Sequence, residues 1–151
     1  MRIIVDANII FSAILNTNGK IGDLLINSKR IFNFIAPDFL RSEIKRHYPK
    51  LVKISGFTLE QIQEIEFLVY KQIQFISEEQ ISASAWQLAY KLTFDVDPPD
   101  DTVYVAYSKH FRCKIWSGDK ALINGLDKKG FTNFVSTNDI FTVREQKLSK
   151  E

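Results

Sequence analysis

Four acidic residues, Asp6, Glu43, Asp101 and Asp119, each stand where the chain turns from an apolar run towards a helix. Asp6 directly follows Ile3-Ile4-Val5, and Asp119 follows Ile115-Trp116 through Ser117-Gly118. Glu43 lies about one turn into a helix expected after Phe34-Ile35-Ala36. Asp101 opens a helix after Pro98-Pro99, with Asp97 and Asp100 beside it. In open parallel sheets, ligands bind outside the carboxyl ends of the strands. Acids gathered on that edge would therefore form one anionic pocket.

Such a gathering has a definite chemistry. Two carboxylates about 5 Å apart repel by roughly 3 kcal/mol at an effective dielectric near 20. A fold tolerates several such pairs when a cation neutralises them or when some acids stay protonated. All-oxygen ligation favours Mg²⁺ or Mn²⁺ over zinc. A bound dication would activate water and polarise a phosphoryl oxygen, so no serine, cysteine or histidine nucleophile is required. Taken singly, each acid also has a plain reading. Asp6 and Asp119 suit helix caps, Asp100 and Asp101 suit the positive end of a helix dipole, and Glu43 suits a solvated helix face. Their shared edge is what favours the joint reading.

The elements that must position these acids are legible from periodicity. Strands are expected at 2–5, 32–36, 74–76, 113–117 and 134–135, with helices at 8–15, 21–28, from Pro37-Asp38 to before Pro49, 101–110, 120–128 and from Thr137 onwards. Thr58 with Gln61 and Ser77 with Gln80 fit capping boxes. They lead into apolar stripes at Leu59, Ile62, Ile65 and Val69, and at Ile81, Ala85, Leu88 and Leu92, which read as core. Helices alternating with short apolar strands predict a three-layer α/β/α sandwich around a mainly parallel sheet. No linker or repeat interrupts the chain. The expectation is a single domain over 1–143 and a polar, fraying tail over 144–151.

Composition narrows the class. At 151 residues, 45% apolar and 25% charged, the chain suits one soluble globular domain. Cys113 is the single cysteine, which excludes an intrachain disulfide and an all-thiolate metal site and fits a reducing cytoplasm. The apolar run ended by Asp6 is too short for a signal peptide, and no stretch reaches the roughly 18 apolar residues of a membrane span. The net charge of +2 decides little alone. With acids collected in a pocket, however, the remaining surface is more basic than the total. Lys45, Arg46, Lys50 and Lys53 cluster after Glu43, and Lys109, His110 and Arg112 follow the Asp101 helix. Either cluster could hold a phosphate backbone or be a solvated helix face.

The order and spacing of Ile3-Ile4-Val5-Asp6-Ala7-Asn8, Pro37 to Glu43, Asp101-Thr102-Val103-Tyr104-Val105-Ala106 and Trp116-Ser117-Gly118-Asp119 resemble a PIN domain, a nuclease fold with a small metal-dependent acidic site. The likeness runs from Arg2 to about Ile140. It implies that Asp6, Glu43, Asp101 and Asp119 are the catalytic, metal-binding acids, using Mg²⁺ or Mn²⁺. Helical spacing alone does not choose among Asp97, Asp100 and Asp101; the family's acid-then-alanine pattern, through Ala106, favours Asp101, and Asp100 is kept as a supporting residue. Asn8 and Ser117 fall at small polar positions that hold an acid or a metal-bound water. The resemblance further implies hydrolysis of phosphodiester bonds, chiefly in single-stranded RNA. Many small bacterial relatives, VapC-like, are homodimeric toxins of toxin–antitoxin pairs, which would make an antitoxin the partner. Lys45, Arg46 and Lys120 are the candidate nucleic-acid contacts.

Two other functions compete. A haloacid-dehalogenase-like phosphatase also begins with a strand ending in Asp, but needs a second acid where Asn8 stands. A non-catalytic PIN-like module would bind RNA or protein without cutting, and has no need of a repulsive acid cluster. Among smaller signals, His47 and His110 read as helix-surface residues because no second histidine stands at metal-binding spacing. Trp116 reads as core, and Trp86 and Tyr90 as packing residues rather than base-stacking platforms.

Overall fold

A computed structural model of the chain describes residues 1–96 and 101–150. Five short strands form its centre: β1 (Arg2–Val5), β2 (Asn33–Pro37), β3 (Ile73–Ile76), β4 (Lys114–Trp116) and β5 (Phe134–Val135). All neighbours pair in parallel, in the order β3-β2-β1-β4-β5. Ile3, Ile4 and Val5 are fully buried. A middle strand covered on both faces reads as an unbroken apolar run rather than an alternating one.

The helices are α1 (Ala7–Leu15), α2 (Lys20–Asn27), α3 (Phe39–Arg46), α4 (Tyr48–Ser55), α5 (Leu59–Tyr70), α6 (Ala83–Thr93), α7 (Asp101–Phe111), α8 (Lys120–Asp127) and α9 (Thr137–Leu148). α6 packs on α7, and α7 lies against β1, β2 and β4. α1 touches α2, α3, α4 and α5, and α9 joins α2. This is the expected three-layer α/β/α sandwich with a parallel sheet. Among the described residues, no single helix is long and apolar enough to cross a membrane.

The strand order locates a crevice. From β1 the chain steps outward through β2 to β3, then crosses back to lay β4 on the other flank of β1. Connections therefore diverge between β1 and β4, which opens a gap at the carboxyl ends of these two strands. Val5 is in register with Trp116, so Asp6 and Ser117 emerge side by side at that gap. The Asp6 amide still donates to the Trp116 carbonyl at 3.3 Å, extending the ladder to the edge of the site.

Several elements differ from the sequence expectations. The Glu43 helix ends before Pro49, but His47 is only a one-residue break. α4 starts at Tyr48 with Pro49 in its first turn, where a missing N–H is not needed. Thr58 and Gln61 do form a capping box. Ser77 instead caps a single 3₁₀ turn over Glu78–Gln80, and α6 begins later under Ser82, whose hydroxyl accepts the Ala85 amide at 3.2 Å. Leu59 and Leu88, expected in the core, are 47% and 48% exposed. Tyr90, expected to pack, is 65% exposed and meets only the ring of Phe94 among aromatic neighbours of the described residues. Both stripes are one residue wider than the face that touches the sandwich. At the carboxyl end, α9 continues through Leu148. Its Arg144 is buried and pairs with Asp23 on α2 at 2.8 Å.

Candidate active site

Asp6 is the floor of the crevice. Placed directly after β1, it caps α1: its Oδ1 accepts the Ile9 amide at 3.1 Å. It is 6% exposed. Burial pushes its pKa up to about 6, and the negative charge of Asp119 adds to the rise. Hydrogen bonds from the Ser117 hydroxyl and from the backbone of Ile9 and Asn8 resist it. Desolvation thus outweighs three stabilising contacts, and a nearby cation would relieve the penalty.

Asp119 mirrors Asp6 one strand away. It caps α8 by accepting the Leu122 amide at 3.1 Å, while its own amide donates to the Ser117 hydroxyl oxygen at 3.1 Å. Ser117 is buried and joins the two acids: its hydroxyl bonds to Asp6 and accepts from Asp119. The other two acids come from helices. Glu43 is half-buried on α3, and Asp101 is the half-buried first residue of α7.

Asp6, Asn8, Glu43, Asp101 and Asp119 all line one cavity of about 170 Å³. His47 and Tyr104 complete its wall. The structure therefore brings together all four acids expected from sequence, with Asn8 facing them and Ser117 beneath them. Asp100 and Asp97 lie outside the described residues. Lys45, Arg46 and Lys120 are exposed and line neither this cavity nor the adjoining one. The second basic cluster sits at the far end of α7. Lys109, His110 and Arg112 are eight to eleven positions after Asp101, on the order of 12–16 Å along a helix, and so serve the opposite edge of the sheet.

Two wall residues, Tyr104 and His47, are not among the acids and small polar residues expected of the site. Tyr104 is 3% exposed, and its hydroxyl donates to Glu43 Oε1 at 2.5 Å. Burial, followed by the charge and hydrogen bond of Glu43 and the charges of Asp6 and Asp101, holds this phenol well above its ordinary pKa. Its one signal in the sequence is its place three residues after Asp101, on the same helical face. His47 is exposed, as expected of a surface residue, but the break between α3 and α4 turns it to the cavity.

Carboxylate, amide and phenol oxygens dominate this wall, a donor set suited to a hard dication. Among the described residues, no three acidic, histidine or cysteine side chains are spaced to grip an ion as they stand. Mg²⁺ keeps several waters and needs only one or two carboxylates, so the donor chemistry fits it.

Residues 4–140 match the PIN domain. This chain belongs to the PIN domain family. PIN domains are typically nucleases and generally use divalent metals. A similar solved structure is that of VapBC2 from Rickettsia felis bound to a DNA fragment from its promoter. It is 14% identical with a TM-score of 0.60, covering 90% of this PIN domain chain and 97% of the other. At that identity the likeness is one of fold. No curated protein sequence matches the chain.

Proposed function

We propose that this PIN domain is a divalent-metal-dependent nuclease that hydrolyses phosphodiester bonds in single-stranded RNA. The observation that supports it most is the one cavity shared by Asp6, Glu43, Asp101 and Asp119 at the crevice between β1 and β4. These four carboxylates would hold Mg²⁺ or Mn²⁺, which when bound supplies polarisation of the phosphoryl group and activation of water. Asp6 and Asp119 are fixed as helix caps and would keep their positions through turnover. Ser117 orients both, and Asn8 offers an amide to a water or an acid at the mouth. The likeness to the Rickettsia felis VapBC2 complex supports reading the chain as the toxin of a toxin–antitoxin pair. Its partner would be an antitoxin covering the acids, its assembly a homodimer and its location the cytoplasm.

The test is incubation of the purified protein with unstructured RNA and Mn²⁺ or Mg²⁺, beside a chelator control and the Asp6→Asn variant. Cleavage is expected in the wild type alone, with a loss of at least about a hundredfold in the variant. Cleavage that survives both chelator and Asp6→Asn would refute the assignment. A second reading, a PIN-like module that binds RNA or protein without cutting, draws on the absence of any preset three-residue grip among the described residues. It predicts RNA binding with no cleavage, unchanged by chelator or by the substitution.

A further inference from the structure

The acid-lined cavity does not stand alone. A second cavity of about 200 Å³ adjoins it and shares Ala7, Asn8, Glu43 and His47 with it, so the two form one trough. The second half has a different character. Phe11 and Ile44 give it an apolar floor, and Lys50 stands at its wall. The Phe11 ring meets His47 edge-on at 6.1 Å, and the Lys50 ammonium lies 5.5 Å from the ring centroid.

Three features of this half call for a ligand. Its volume is below the roughly 300 Å³ at which free-standing ligand pockets begin, which suits one unit of a longer molecule. Lys50 is the third residue of α4, in the first turn, where the helix dipole disfavours a cation. Lys50 also forms no ion pair among the described residues. Local helix chemistry therefore does not explain this lysine. Beside it, four carboxylates outweigh the charge of a single dication, so a phosphate chain entering the trough gains from a further cation close to the acids. An apolar floor edged by aromatic rings and one ammonium, next to a phosphodiester site, matches a flat base with its phosphate.

We infer that the Phe11–Lys50 cavity is a nucleotide subsite of the proposed nuclease. It takes the nucleoside adjacent to the scissile phosphate, the base against Phe11 and His47 and the neighbouring phosphate on Lys50. The inference rests on the nuclease reading and adds where the substrate chain lies.

The experiment is steady-state cleavage of an unstructured oligoribonucleotide in Mn²⁺, at several salt concentrations, by the wild type, Lys50→Ala and Phe11→Leu. Lys50→Ala is expected to raise KM about tenfold with a much smaller change in kcat. It should also lower the slope of log KM against log salt by about 0.7, the share of one single-strand phosphate contact. Phe11→Leu is expected to raise KM by about tenfold through lost stacking. Independently of how that variant folds, an abasic residue placed next to the mapped cut should raise the wild-type KM by a similar factor. Cleavage by Lys50→Ala with unaltered KM and salt slope, or indifference to the abasic residue, overturns the subsite while leaving the nuclease standing. No metal-dependent cleavage by the wild type overturns both.

Discussion

Asp6 is fixed by the same burial that penalises its charge. Its carboxyl titrates near 3.8 in an open chain and at about 6 in the fold. The folded state therefore binds this proton more tightly than the unfolded state. Protonated Asp6 adds stability at pH values below the open-chain pKa, and that contribution is lost as pH rises through about 6. Asn caps a helix as well as Asp does, so Asp6→Asn keeps the hydrogen bond and removes the penalty. In chelator, urea unfolding at pH 7.5 should find the variant more stable by up to about 3 kcal/mol, with the gap closing towards pH 4. A gap independent of pH would mean that Asp6 is not strained by its charge. Tyr104 makes a second prediction at this scale. Its hydroxyl holds Glu43 from across the cavity, and partners of this kind tune metal affinity by about 10–100-fold. Tyr104→Phe should weaken Mn²⁺ binding about tenfold in calorimetry with an unchanged circular dichroism spectrum. Unchanged affinity would show Glu43 to be indifferent to its donor. The four acids are legible in the sequence because Asp6 and Asp119 follow apolar strands, Asp101 opens a helix and Glu43 lies one turn into the helix after β2. Tyr104 stayed hidden because a tyrosine in the run Val103 to Ala106 reads as core, and its acceptor lies 61 residues away.

At the scale of elements, local signals were sound wherever nothing distant competed with them. Thr58 and Gln61 form the capping box their spacing predicts, and β1 and β5 occupy the expected residues. Ser77 and Gln80 have the same spacing and fail. Glu78 is drawn away to accept the Phe39 amide at 2.8 Å, closing the start of α3, and Ile81 is pulled into the core in an extended conformation. Both demands break the turn, so the helix restarts under Ser82. Ser82→Ala should cost about 1 kcal/mol in urea unfolding, and Ser77→Ala clearly less. The reverse order would mean that the sequence pattern, not the observed cap, marks the true start of α6. The break at His47 was also unreadable locally. Pro49 can end one helix or begin another, and only the packing of α4 on α1, α3 and α5 decides between them.

For the molecule as a whole, alternation of helices and apolar runs disclosed the layers and the parallel sheet, whereas the order of strands was not encoded in any one segment. That order places β1 beside β4 and so makes neighbours of Asp6 and Asp119, which are 113 positions apart. The reach of α9 through Leu148 depends on a distant contact in the same way. A polar carboxyl-terminal run looks frayed until Arg144 is seen buried and paired with Asp23 on α2. The two kinds of anchoring have one lasting effect. Asp6 and Asp119 are seated just past the ends of adjoining strands, while His47 and Lys50 stand at the joint before α4 and in its first turn. A change at His47 or Lys50 can therefore alter what the trough admits while the seats of Asp6 and Asp119 stay as they are.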